Sequence, residues 1–216
     1  MTHHYAQTDT VSNPGLNTSN VEEDFYSMMK AQQAAASQQA SHLEKNIQHL
    51  TVIINSQRQG KTALPNKLGL SAENVVKLET LFKLQGKDIS LSAGGDAEDL
   101  RQQLLEMRQD EWLDIKTLLV EHSNTQSEIS KLMAEIVAAA CLGGEHLWRD
   151  LGLLDRAALS DLLTENFTSL AKRNDKDMKW KKFFYKQLCE QEGGYVCRAP
   201  SCNECAAYAD CFGPED

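Results

Sequence analysis

Apolar residues recur along this chain at helical spacing. Leu43, Ile47, Leu50 and Ile54 are four, three and four residues apart, which places them on one face of a helix that Gly60 ends. Ser71 is a good N-cap for a second helix with a Val75, Leu78, Leu81, Phe82 stripe. After Gly86 and Gly94-Gly95, Asp96 opens one long helix to about His122, with Leu100, Leu104, Met107, Trp112, Ile115, Leu118 and Leu119 as its apolar face. Ser123 to Gln126 break the pattern. Ile129, Leu132, Met133, Ile136 and Val137 mark another helix that stops at Gly143-Gly144. Residues 147–167 lead into a helix ending at Phe167, and a last helix covers about Asp177 to Glu190 with Trp180, Phe183, Phe184 and Leu188 facing inward. No β-alternation persists for six residues. The predicted fold is all-α, a multi-helix bundle with a C-terminal cysteine-rich metal-binding loop.

The same pattern sets the organisation. Residues 1–20 are rich in Thr, Asn and Ser and read as a disordered tail. Residues 21–60 form a polar Ala/Gln-rich helix, whose run from Lys30 to Ala40 reads as a solvated face. Residues 61–190 form the helical core, and 191–216 a cysteine-rich iron–sulfur or metal-binding tail. The motif Leu-x-x-x-Leu-Gly-Leu occurs at 64–70 and again at 147–153, each time ahead of a helix ending in Phe. This is either a weak internal repeat or a coincidence of two helix starts. In both readings the glycine makes a tight turn and the leucines plug the core.

Charge and composition narrow the function. The net charge of −9 lacks the basic footprint of a nucleic-acid binder. No apolar stretch is long enough to span a membrane, and the N-terminus has no secretory signal, so a cytoplasmic location is expected. No nucleophile motif, phosphate-binding loop or His-Glu-x-x-His occurs, so turnover of an organic substrate is not expected.

Cysteine placement changes the picture most. Five of the six cysteines lie in the last 28 residues: Cys189, Cys197, Cys202, Cys205 and Cys211. In a reducing compartment such clustering points to metal rather than disulfides. The Cys202-x2-Cys205 pair turns two sulfurs to one side, and Cys197 and Cys211 complete a four-sulfur cage. Pro200, Gly213 and Pro214 fit a loop whose path is fixed by ligation, and ligation would replace the apolar burial that this loop lacks. Spacing leaves both iron–sulfur and zinc open. Zinc favours two close pairs a dozen or more residues apart, and the x4, x2 start matches only the beginning of a plant-type ferredoxin pattern. Cys189 is either a further ligand or a packed helix residue. His146 is either a cap or packed side chain, or a metal ligand.

Three segments, HLWRDLGLLDRAALSDLLTENF, DMKWKKFFYKQLCEQEG and CRAPSCNECAAYADCFGPE, resemble the NifQ family. The likeness is dense from about Cys141 to Glu215, looser from Leu64 to His122, and absent over about the first 60 residues. The family's Cys-x4-Cys-x2-Cys-x5-Cys signature is filled by Cys197, Cys202, Cys205 and Cys211. Members often carry Phe-Pro where this chain has Phe167-Thr168, a departure at a helix end. The resemblance implies a metallochaperone for nitrogen fixation rather than an enzyme. It would carry an iron–sulfur cluster, take up molybdenum from molybdate or another source, and donate it to nitrogenase cofactor-assembly proteins, a scaffold and a reductase. The chemistry agrees: molybdate is a hard oxyanion, and a cysteine cage supplies soft sulfur. Between Lys172 and Lys186, seven basic residues (Lys172, Arg173, Lys176, Lys179, Lys181, Lys182, Lys186) face only Asp175 and Asp177. They either attract molybdate or an acidic partner, or simply solvate a helix. The competing readings are a zinc-stabilised helical interaction module and a plain electron carrier.

Overall fold

The computed structural model describes residues 18–91, 96–124, 127–191, 193, 202 and 205–215. The expected disordered tail therefore lies almost wholly outside the described residues. Two units divide the chain, residues 1–41 and 42–216. Helix α1 (Thr18–Arg58) contributes to both. In the first unit every described side chain from Glu23 to Ser41 is exposed, as a solvated Ala/Gln face requires.

The second unit is built around α5 (Glu128–Cys141), whose side chains are buried from Ile129 to Cys141 except Lys131. A helix buried on all sides must be apolar all round, and the sequence of α5 nearly is. Against it pack α2 (Ala72–Leu84), α4 (Gln109–Glu121) and the short α6 (Leu147–Leu151). The end of α1 adds Ile47, Leu50, Ile53 and Ile54 to the same core. Then come α7 (Arg156–Asn166), α8 (Thr168–Arg173) and α9 (Trp180–Gln191), whose Trp180, Phe183 and Phe184 form an aromatic cluster. Most polar exceptions in this core are bonded, though Asn166 Oδ1 and Gln187 Oε1 have no partner among the described residues. His42 Nδ1 meets Glu165 Oε1 at 2.8 Å and its Nε2 meets Ser130 Oγ at 2.9 Å, while Asn166 donates to Asn46 Oδ1 at 2.8 Å.

Two expectations need correction. The long helix from Asp96 is broken at Arg108 into α3 (Asp96–Met107) and α4. Arg108 leaves helical geometry there, and its guanidinium is held by Glu111 and by Leu142 O. The expected apolar stripe of the first half does not face the core: Leu100, Leu104 and Met107 are 59%, 49% and 81% exposed. The second correction is at the C-terminus. The tail is not all loop, because Tyr208–Phe212 forms helix α10 and carries Cys211.

The two Leu-Gly-Leu motifs behave alike. Leu64, Leu68, Leu147 and Leu151 are fully or almost fully buried. Gly69 and Gly152 both adopt positive φ, +80° and +72°. The second segment is also held by residues ahead of the first: Ala63 N–H donates to Asp150 O at 3.0 Å, and Ser56 Oγ donates to Gly152 O at 2.6 Å.

Candidate metal centre

The first turn of α9 is where the cysteine tail meets the core. Lys179 N–H donates to Cys211 O at 2.8 Å, and Lys179 Nζ to Ala209 O at 3.3 Å. Cys211 and Phe212 are half-buried against the core, and Phe212 stacks on Tyr208 with ring centroids 4.6 Å apart. Beyond them Arg156 pairs with Glu215, whose side chain is only 5% exposed. The same guanidinium bonds Asp177 Oδ1 at 2.7 Å and Met178 O at 3.0 Å.

Cys202 and Cys205 sit on a tight turn, with Cys205 N–H donating to Cys202 O at 3.2 Å and Tyr208 N–H to Cys205 O at 3.1 Å. Both thiols are half-buried and outside any disulfide. This donor set suits a soft metal or cluster: two thiols on one turn and a third whose backbone is tied to α9. Cys197 lies outside the described residues. Among those described, no three His, Cys, Asp or Glu side chains converge on one point. Cys189 is half-buried near the end of α9. His146 stands at the N-cap of α6 but makes no side-chain cap; its Nδ1 lies 3.7 Å from Glu215 Oε2. Cys141 is buried, and burial pushes its thiol up to about 12, so it is a packing residue without nucleophilic character.

The basic segment divides between two cavities. One, of about 430 Å³, has Lys172, Arg173, Lys176 and Lys186 around it beside the acids Asp175 and Glu190, with Cys202 and Phe212 supplied by the tail; Lys186 pairs with Glu190 at 3.4 Å. The other, of about 290 Å³, gathers His146, Lys179, Lys182, Asp210 and Glu215. Lys181 also lines the smaller cavity, but its charge is committed within the fold. It pairs with buried Asp150 and donates to Gly143 O at 2.8 Å. His122 is held below the ordinary imidazole value first by burial and then by the Arg173 charge.

Sequence reasoning missed Arg156, Asp150 and Glu215. Asp150 carried a signal, since an acid just ahead of the buried Leu151 and Leu153 needs a partner. Arg156 and Glu215 carried none, because their partners are distant in sequence.

The profile of the NifQ family matches residues 49–213. Protein NifQ of Azotobacter vinelandii is 49% identical over 187 residues, covering 85% of this chain and 93% of the relative. Protein NifQ of Klebsiella pneumoniae is 33% identical over 154 residues, covering 71% and 90%. A NifQ homolog of Sinorhizobium fredii is 46% identical over 99 residues, covering 46% and 43%. No solved structure matches the chain. Among the described residues, no helix is long and apolar enough to cross a membrane.

Proposed function

The chain belongs to the NifQ family, and on that premise we propose that it is a cytoplasmic metal carrier for nitrogen fixation, not an enzyme. Cys197, Cys202, Cys205 and Cys211 hold an iron–sulfur cluster in this reading, and molybdenum is the cargo. The receiving partners are the scaffold and reductase that assemble the iron–molybdenum cofactor of nitrogenase.

The observation that carries the reading is the junction of tail and basic cavity. Cys202 lines the same hollow as Lys172, Arg173, Lys176 and Lys186. A dianionic oxyanion is drawn to such a field, and thiolates beside it provide the soft ligands that molybdenum needs next. A bound iron–sulfur cluster would supply further sulfur and iron beside the cargo. The protein's own part is to gather the anion, hold the thiols and keep both against α9.

The test is the iron, sulfide, molybdenum and zinc content of protein purified without oxygen from cells given molybdate. Iron, sulfide and molybdenum together are expected, all lost in Cys202→Ala and Cys205→Ala. A Lys172→Gln, Arg173→Gln, Lys176→Gln variant should keep its iron and lose most of its molybdenum. Zinc alone would replace this reading with a zinc-stabilised interaction module. Iron and sulfide without molybdenum would replace it with an electron carrier.

A further inference from the structure

We propose that Arg156 and Glu215 form a latch that holds Cys211 in its ligand position before any metal arrives. The inference rests on the reading above that Cys211 is a ligand, and it assigns Arg156 and Glu215 as positioning residues for it.

The Glu215 side chain is only 5% exposed. Burying a carboxylate is costly without a partner. Glu215 stays because the Arg156 guanidinium meets it, with the His146 ring 3.7 Å away on the other oxygen. Arg156 serves the opposite side of the same junction too. It binds Asp177 and Met178 O, directly ahead of Lys179, whose N–H holds Cys211 O at 2.8 Å. One side chain therefore fixes both the segment that grips Cys211 and Glu215 beyond it.

The connection between Cys211 and Glu215 is short and stiff. Phe212 packs on the core. Gly213 N–H donates to Ala209 O at 2.8 Å, and a Cβ on Gly213 would lie 2.5 Å from that same oxygen. Pro214 then fixes its own φ. With both ends pinned, Cys211 has little room to move. The hydrogen bonds described for Cys202 and Cys205 run only within the tail. A ligand held in place before loading lowers the ordering cost of ligation.

The experiment uses the metal-free full chain under reducing conditions. Each cysteine is labelled with N-ethylmaleimide in native buffer and followed by peptide mass spectrometry. In Glu215→Gln, and in a chain lacking residues 215–216, the Cys211 labelling rate should rise by roughly tenfold, because labelling follows the open population. Cys202 and Cys205 should keep their rates, and Glu215→Asp, which retains the charge, should slow Cys211 again. Buried Cys141 must remain unlabelled, which certifies that the core is folded. The truncated chain keeps the Arg156 contacts to Asp177 and Met178, so it guards against misfolding in the point variant. Unchanged Cys211 labelling in both altered chains would overturn the latch. Metal content of Cys211→Ala tests the ligand reading separately: metal retained there removes the functional premise whatever the labelling shows.

Discussion

Lys181, on the first turn of α9, pairs with the buried carboxylate of Asp150 in α6. Asp150 is 4% exposed, and its Oδ2 also accepts Glu145 N–H at 3.1 Å. The pair thus ties the 143–150 loop, which carries His146, to the helix that receives the cysteine tail. Removing one partner strands a buried charge, so Lys181→Met should destabilise the protein by about 3–5 kcal/mol. Exposed Lys182, its neighbour, should change stability by no more than about 0.5 kcal/mol when made Met. Urea unfolding of both variants checks this. Adding Asp150→Asn to Lys181→Met should recover part of the loss, and a strictly additive double mutant would show that the two residues do not act as a pair.

Gly152 is the second glycine of the Leu-Gly-Leu motifs. Its φ is +72°, and a Cβ there would lie 2.5 Å from Thr62 Cγ2 and closer still to Ser56 Cβ. Gly152→Ala meets both a left-handed backbone and a clash, so a loss of about 2 kcal/mol or more is expected. Gly144 has no heavy atom within 4 Å of such a Cβ and no positive φ, so Gly144→Ala should be close to neutral. Thermal melts of the two variants side by side decide the point, and equal melting temperatures would contradict it.

Acid should weaken the fold through two bridging carboxylates. Burial pushes the Glu165 carboxyl up, but hydrogen bonds from Lys45 and His42 more than offset it and hold the group below its ordinary value. Glu111 is the same case: burial opposes, and Arg108 and Tyr185 prevail. A carboxyl whose folded value lies below its unfolded one, about 4.3, binds fewer protons when folded. Its contribution is present above about pH 4.3 and is lost as pH falls through the lowered folded value. Stability measured from pH 7 down to pH 3 should therefore drop most steeply below about pH 4.5. Glu165→Gln should flatten that drop. An acid limb of unchanged slope in the variant would exclude Glu165 as a cause.

The helices were legible wherever apolar spacing coincided with burial. Val75, Leu78 and Phe82 are buried as their stripe required, and Ser71 caps α2 by accepting Asn74 N–H. Ile129, Leu132, Met133, Ile136 and Val137 are buried as expected. The break at Arg108 was not legible, because neither Gly nor Pro marks it and the cause is a contact to Leu142 O, 34 residues away. The stripe of Leu100, Leu104 and Met107 shows the limit of periodicity: spacing puts residues on one face but does not say what covers that face. Helix α8, six residues long after Phe167, was too short to read from spacing. At the candidate site, cysteine spacing was legible and lysine roles were not. Lys181 and Lys182 look alike in sequence, yet one is committed to a buried acid and the other faces water.

The described core closes without help from the C-terminal cysteines. Its buried apolar residues run from Ile47 to Phe184, and the tail adds only Cys211 and Phe212 at the edge. Small metal domains that borrow their folding energy from the metal collapse when it leaves. This chain has its own source of cohesion, so loss of a metal from the tail would leave the described core in place. On the proposed function, one copy outlives many loads, and the cell replaces cargo rather than carrier.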